Sequence, residues 1–439
     1  MLAIHLLSCD VPRDSTRCDG YLRVIEDIAA NRIRSLAIHV TPSAGWRWKT
    51  IFLPRILAIT YPILKSLDLS YDAFYASSLH TRGQNKPLYR PDIREDCPYP
   101  SSVPMHLLIA PIPWDQLNQL TFRHMKGWSP TPLRNLTHLT LFGYADGTAL
   151  AEVVLANPAL QKLRLESIKD QEKYSYDPNR LVSLKDQALE LVRCDPDVLS
   201  MFSLSPMSSL AITRTMNQGA IQVYEEGIPV FSWLPRDVSE IRCLELLEEL
   251  QLSIIKVPGR RGWIAAEQKT VGYSASIFTS GSKVRPSVIF TLTYHYDTSM
   301  LSYKVPFEPA YLLPQPILWD RVTHASLDGF DDKFNIRDNT ILGRLQNLRS
   351  LTLRHCASDS LVRFITPGEL QVLEILRLDD KSFGAEAAST LFEALRTRRT
   401  QSKSPVLQLK VFMSGHPNSV ITMEQIEKLK ECIDHVEVA

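Results

Sequence analysis

The sequence lacks a long apolar run, an excess of one charge and a dense set of cysteines. No stretch of 18 apolar residues occurs, which excludes a transmembrane helix. Lysine and arginine number 49 against 48 aspartates and glutamates, so no net field favours nucleic acid or an acidic membrane. The seven cysteines are scattered and odd in number, and residues 1–7 lack the basic leader of a secretory signal. We therefore expect reduced thiols in a cytoplasmic or nuclear protein that binds neither nucleic acid nor a membrane.

Enzyme signatures are also missing. The chain has no Walker loop, no His-Glu-x-x-His and no Cys-x-x-Cys pair, so neither a cofactor nor a metal is expected. The nearest nucleophile motif, Gly272-Tyr-Ser274-Ala-Ser276, ends in serine where a nucleophile elbow needs glycine. It fits a hairpin strand better. We predict no catalytic residue and no enzyme, and a hydrolase centred on Ser274 stays open as a third hypothesis.

One short pattern, Leu-x-x-Leu-x-Leu, recurs along the chain. In a β-strand, residues two apart point to the same side, so the Leu-x-Leu pair predicts a strand with one buried face. The leucine three residues earlier predicts a buried turn before that strand. Six clean copies begin at Leu64, Leu136, Leu160, Leu247, Leu348 and Leu373, and a looser copy begins at Leu117.

Amphipathic stripes between these strings predict helices. The stripes cover residues 150–154, 184–192, 388–395 and 422–433, and the last has Thr422 and Gln425 spaced for a capping box. Strands that alternate with helices at short spacing indicate parallel strands joined by right-handed crossovers. The predicted fold class is therefore α/β.

Two segments interrupt the regular spacing of the strings. Residues 80–115 contain seven of the chain's 28 prolines, which excludes regular helix and predicts an extended loop. Residues 256–310 combine glycine turns with an alternating run over 288–296, which predicts one or two β-hairpins. We therefore predict a capping segment over residues 1–30 and one repeat array over 31–439, with insertions at about 80–115 and 256–310.

The strings resemble the leucine-rich repeat, and Leu348-x-x-Leu351-x-Leu353-x-x-Cys356 resembles its cysteine-containing class. Residues 31–38 resemble the first repeat strand after an F-box, and residues 136–165 resemble two consecutive copies. The chain is similar to the repeat region of the F-box/leucine-rich-repeat proteins abundant in basidiomycete fungi. That resemblance implies an irregular, horseshoe-like leucine-rich-repeat solenoid with a parallel concave sheet and outer helices. It also implies a role in recognising substrates of a ubiquitin ligase.

The F-box itself is not visible in this sequence. Its opening pattern, Leu-Pro-x-Glu-Leu, is approached only by Leu53-Pro54-Arg55-Ile56-Leu57, which has no acid. The string at Leu64 follows too closely to leave room for the rest of the box. We therefore do not expect a Skp-type adaptor, which an F-box would bind, among the partners. The resemblance then covers recognition of a protein target rather than attachment to the ligase.

The repeat geometry nominates a binding surface on the concave side of the sheet. The residue between the two inward leucines points to that side, as do its neighbours two positions away. A preformed sheet lowers the ordering cost of binding a protein, and arginine and exposed phenylalanine often anchor interfaces. The predicted protein-binding residues are Asp68, Thr121, Arg123, Thr140, Phe142, Arg164, Gln251, Thr352, Arg354, Arg377 and Asp379.

The first hypothesis is therefore a non-enzymatic protein–protein recognition module that binds its target along the sheet. The alternative is a structural or regulatory scaffold without any ligase link. One form of that alternative is an activator of a small GTPase that uses an arginine on the rim of the repeats, and Arg354 is the residue that would test it.

Overall fold

The chain divides into two compact units, Met1–Ser203 and Leu204–Ala439. The computed structural model describes residues 2–7, 15–40, 53–71, 114–123, 133–168, 174–175, 181–216, 239–246, 248–257, 268–278, 287–297, 321–328, 345–354, 372–379, 385–401, 408–412 and 423–438. Most of the predicted loop over 80–115 lies outside these ranges, as do His355, Cys356 and Thr422.

The first unit is an α/β structure built on a parallel sheet of seven strands. Its strands are β1 (Leu2–Leu7), β2 (Ile33–Val40), β3 (Ser66–Tyr71), β4 (Gln119–Arg123), β5 (His138–Phe142), β6 (Ala145–Asp146), β7 (Lys162–Glu166), β8 (Tyr174–Ser175), β9 (Val182–Leu184) and β10 (Ala188–Val192). The large sheet has the order β1-β2-β3-β4-β5-β7-β10, and every neighbouring pair in it is parallel. Its helices are α1 (Ser15–Arg32), α2 (Leu53–Ala58) and α3 (Gly147–Ala156), with 3-10 turns at Trp114–Gln116 and Pro196–Met201.

The core of the first unit is a ladder of apolar side chains on one face of this sheet. Residues two apart in each strand stand on the same side, and parallel pairing sets them beside the equivalent residues of the next strand. Every member of the ladder is at most 4 % exposed. One row is Leu36, Leu67, Leu120, Leu139, Leu163 and Leu189, and the next is Ile38, Leu69, Phe122, Leu141, Leu165 and Leu191. The prediction that the Leu-x-Leu pairs face inward is confirmed in this unit.

A leucine closes a turn before β3, β4 and β7. The N–H groups of Leu64, Leu117 and Leu160 donate to the carbonyl three residues earlier, at 3.2, 3.3 and 3.0 Å. Two successive N–H groups at the start of a strand then donate to one carbonyl of the strand before it. Asn118 and Gln119 share the Lys65 carbonyl in this way, at 2.9 and 3.1 Å. The same pair of bonds recurs at the starts of β5 and β7, so the strands of consecutive copies begin with the same backbone hydrogen bonds.

The backbone also turns in the same way where three of these strands end. The residues directly after β5, β7 and β10 are Gly143, Ser167 and Arg193, with φ of 77°, 56° and 55°. Glycine adopts this left-handed conformation at no steric cost, whereas a residue with a Cβ is held there by its surroundings. At Ser167 the N–H donates to the Val192 carbonyl at 2.8 Å, and the N–H of Gly143 donates to the Glu166 carbonyl at the same distance.

Three of the four predicted helical stripes lie in helices. In α3, Leu150 and Val153 are fully buried, and the Asp146 side chain caps the helix by accepting from the N–H groups of Thr148 and Ala149. The stripes 388–395 and 422–433 fall in α4 (Ala385–Gln401) and α5 (Met423–Cys432).

The helix predicted over 184–192 is wrong, because this segment forms β9 and β10. Leu189 and Leu191 stand two apart and extend both rows of the buried ladder by pairing with Leu163 and Leu165 of β7. The segment can therefore bury its leucines as a strand. Pairing with β7 favours the strand over the helix that the same residues could form.

The second unit contains a mixed sheet. Its strands are β12 (Ser209–Met216), β13 (Glu249–Val257), β14 (Gln268–Phe278), β15 (Ser287–Asp297), β16 (His324–Asp328), β17 (Ser350–Arg354), β18 (Ile375–Asp379), β19 (Gln408–Phe412) and β20 (His435–Val438); β11 (Phe202–Leu204) contains the boundary between the units. Strands β13, β16, β17, β18, β19 and β20 run parallel in that order. Strand β14 pairs antiparallel with both β13 and β15, and the β14–β15 pair gives hairpin pairing within the segment 256–310.

Candidate binding face

The polar side of the first unit's sheet carries the candidate residues of that unit. Along β4, β5 and β7 buried and partly exposed side chains alternate, so the side chains between the buried ladder rows lie on the opposite face. We call these side chains in β3, β4, β5, β7 and β10 the polar face. Its first row is Asp68, Thr121, Thr140, Arg164 and Glu190, and its second row is Ser70, Arg123, Phe142, Glu166 and Val192.

Arg123 lies at the centre of one cluster on the polar face. Its Nε atom is 3.5 Å from Oδ1 of Asp68, and its guanidinium carbon lies 5.7 Å from the centre of the Phe142 ring. The ion pair lacks hydrogen-bond geometry, and neither of these two buried atoms has a hydrogen-bond partner among the described residues. The Arg123 side chain is 34 % exposed. The cluster therefore holds a half-buried guanidinium between a carboxylate and a ring without saturating its donors.

A second cluster, which we call the charged cluster, consists of Lys162, Arg164, Glu166, Glu190 and Arg193. Arg164 bridges the two carboxylates, with Nη1 donating to Glu190 at 3.0 Å and Nη2 donating to Glu166 at 2.9 Å. Lys162 approaches the other Glu190 oxygen at 2.5 Å, and Arg193 donates to Glu166. Each carboxylate therefore contacts two cations.

The charged cluster lowers the pKa of Glu166. Burial by itself raises the pKa of this carboxyl, whose side chain is only 13 % exposed, but the hydrogen bonds from Arg164 and Arg193 outweigh burial and leave the pKa lowered. Glu166 therefore stays charged in the folded state and fixes both arginine side chains.

Next to the Arg123 cluster, His39 of β2 and Ser70 of β3 occupy the same register position. The Nδ1 atom of His39 is 2.5 Å from Oγ of Ser70, and Ser70 is buried. This pair continues the second row of the polar face towards β2. Its hydrogen bond joins neighbouring strands and leaves the serine hydroxyl with little exposed surface.

The second unit brings together some of its candidate residues. Thr352 of β17 pairs with Arg377 of β18, and both are partly exposed; Thr352 stands between the buried Leu351 and Leu353. Gln251 of β13 reaches the same register position through Ser326 of β16. Arg354 is exposed at the end of β17 and pairs with Asp328. Asp379 lies at the end of β18 beside Phe412; for Asp379 and Gln251 the structure describes the backbone position alone.

The eleven candidate residues thus divide between the two units. Asp68, Thr121, Thr140 and Arg164 share one row in the first unit, and Arg123 and Phe142 are in contact there. The sequence interpretation missed Lys162, Glu166, Glu190 and Arg193. The signal for the first two was present, because they flank Arg164 at two-residue spacing. Glu190 was hidden by the mistaken helix, and Arg193 reaches the cluster only because of the left-handed turn after β10.

The described part of the chain shows no group of three or more His, Cys, Asp or Glu side chains that could hold a metal ion. None of the helices described is long and apolar enough to cross a membrane. Ser274 lies in β14 opposite Ser253 of β13 and Thr291 of β15, as a strand residue.

No protein-family model matches the chain, and a search of curated proteins finds no match.

Proposed function

We propose that this chain is a non-enzymatic protein–protein recognition module of leucine-rich repeats, resembling the substrate-binding repeat region of an F-box ubiquitin-ligase subunit. In this proposal the protein works in the cytoplasm or nucleus and binds a protein target on the polar face. The observation that carries the proposal is the polar face itself: partly exposed polar and aromatic side chains in register on consecutive parallel strands.

The repeated backbone supports the leucine-rich-repeat part of the proposal. The same turn precedes the strands at Leu64, Leu117, Leu160 and Leu348, and the shared-carbonyl bonds recur in both units. In the second unit Arg349 and Ser350 both donate to the Thr323 carbonyl, at 2.8 and 3.0 Å. A structural unit that recurs with each copy of the string is the defining property of a solenoid.

The energetics favour the polar face over other described surface as the binding site. Binding loses conformational entropy, and a sheet whose side chains are already fixed by ion pairs loses less of it. Arg123, held over Phe142, is the kind of group that anchors protein interfaces. By contrast, the large exposed apolar residues of the described chain are scattered single positions: Val24, Ile63, Leu155 and Met207.

Position-specific photo-crosslinking tests the proposal. A benzophenone amino acid replaces Thr140, at the middle of the first row, in the full chain expressed in its native cells. The matched control carries the same amino acid at Leu155, which is 83 % exposed on α3. We expect a discrete protein adduct from position 140 and none of that mass from position 155. Adducts of equal yield at both positions, or none at position 140, would contradict the proposal.

A further inference from the structure

We infer that the partner presents an acidic peptide segment whose carboxylates bind Arg123 and Arg164 across the polar face. The inference rests on the proposed function and names the chemistry of the target. It starts from the charges on this face: the cations are Arg123, Lys162, Arg164 and Arg193, and the carboxylates are Asp68, Glu166 and Glu190. Cations therefore outnumber carboxylates, and each carboxylate already contacts at least one cation within the unit.

The donors on the arginines exceed what these carboxylates can use. A guanidinium carries five N–H donors, arranged to bind a carboxylate through two parallel bonds. Arg123 forms an ion pair with Asp68 that lacks hydrogen-bond geometry. Arg164 donates one hydrogen bond to Glu166 and one to Glu190. The described residues therefore leave donors on both side chains, each of which is 34 % exposed. An added carboxylate would find preoriented donors at two points.

The spacing of the two arginines defines what can bridge them. Arg123 lies on β4 and Arg164 on β7, two strands away and one row apart. With strands about 4.8 Å apart and residues about 3.3 Å apart along a strand, the two Cα atoms are separated by roughly 12 Å. An extended peptide covers that distance in three to four residues. The partner is therefore expected to carry Glu or Asp residues three or four positions apart, and Phe142 offers an apolar contact between them.

The test uses purified full-length chain and synthetic peptides. A fluorescein-labelled peptide with glutamates at every fourth position among serines and glycines, which do not favour a helix, is titrated with protein, and fluorescence anisotropy reports binding at about 50 mM salt, where screening is weak. A lysine peptide of the same spacing and a phosphoserine peptide are measured in parallel. We expect the glutamate peptide to bind, the lysine peptide not to bind, and binding to weaken at about 0.5 M salt.

Two substitutions that should change the affinity for the glutamate peptide in opposite directions distinguish recognition from damage to the fold. Arg123→Gln should weaken the glutamate peptide about tenfold, which corresponds to one lost charge-assisted contact. Asp68→Asn removes the carboxylate that competes for the same guanidinium, and it should strengthen binding about threefold. Arg134→Gln, at an exposed arginine before β5, changes the net charge as Arg123→Gln does and should have no effect.

The outcomes decide the inference one way or the other. Loss with Arg123→Gln, gain with Asp68→Asn and no change with Arg134→Gln would support it. It is overturned if the glutamate peptide does not bind, if all three variants weaken binding alike, or if the phosphoserine peptide alone binds. If position 140 gives a discrete crosslink but the glutamate peptide does not bind, this inference is wrong and the proposed recognition function is still supported.

Discussion

Asn157 makes a sharp test of how the repeats are held together, because it is a fully buried amide whose side chain makes three hydrogen bonds to backbone groups. Its Oδ1 accepts from the Leu136 N–H at 2.8 Å, and its Nδ2 donates to the carbonyls of Leu133 and Val153 at 3.0 and 2.7 Å. The side chain thus ties the end of α3 to the segment that leads into β5. Asn157→Ala should remove all three bonds.

The substitution should lower the free energy of unfolding, because three backbone groups would lose their hydrogen-bond partner. A buried polar group left without a partner costs about 1–3 kcal/mol, and three groups are affected. Partial entry of water into the space vacated by the amide reduces the sum, so we expect a loss of about 3–5 kcal/mol. For a unit of this size, 1 kcal/mol corresponds to roughly 2–4 °C, so the melting temperature of the first unit should fall by about 10 °C.

The assay must resolve the first unit, since two units need not unfold together. Hydrogen exchange measured by mass spectrometry, with peptides that cover residues 133–160, reports the local stability directly. Asn135→Ala is the matched control: this exposed neighbour makes one side-chain bond, to the Asp115 carbonyl, and its loss should cost at most about 1 kcal/mol. An unchanged exchange rate at Leu136 in the Asn157→Ala protein would refute the reasoning.

Three titratable groups of the first unit that are buried or partly buried give further tests. The lowered pKa of Glu166 means that its contribution to stability is complete above the unfolded value of about 4.3 and is lost as the pH falls through the lower folded value. In urea denaturation, Glu166→Gln should therefore destabilise the protein at pH 7, and the difference from the unsubstituted chain should shrink steadily as the pH is lowered below about 4.3. Burial raises the pKa of the Cys194 thiol to about 11, so iodoacetamide at pH 8 should modify its peptide slowly until urea unfolds the chain. The Tyr61 hydroxyl donates to the Ile56 carbonyl at 2.8 Å, and Tyr61→Phe should cost about 1–2 kcal/mol in thermal unfolding.

The buried half of the first unit's sheet could be predicted from sequence because its pattern is local. A pair such as Leu139 and Leu141 indicates, within three residues, both that the segment is a strand and which of its faces is buried. The same rule missed β10, because Ala188 and Leu191 of this strand also form a helical stripe with Leu184. Only the partner strand β7 distinguishes the two possibilities, and the identity of a partner is not a local property.

The candidate site was predictable in its positions and not in its contacts. Alternation within β4 and β5 gives the side on which Arg123 and Phe142 lie, and parallel register makes them neighbours. That Asp68 approaches Nε of Arg123 without hydrogen-bond geometry depends on side-chain conformations that no spacing encodes. Asn157 presents the same difficulty: Pro158 directly after it indicates the end of a helix, whereas the role of Asn157 depends on the Leu133 carbonyl, which is 24 residues away.

The two clusters of the polar face differ in how far binding can be separated from stability. Glu166 is 13 % exposed and contacts two arginines, so a change at Arg164 or Arg193 leaves a nearly buried carboxylate with fewer partners. The Asp68 side chain is 26 % exposed, twice the exposed fraction of Glu166, so a change at Arg123 leaves behind a less buried carboxylate. Substitutions at Arg123 therefore report recognition with little effect on folding, whereas substitutions in the charged cluster report both. Loss of binding at Arg164 is interpretable only beside an unchanged melting temperature.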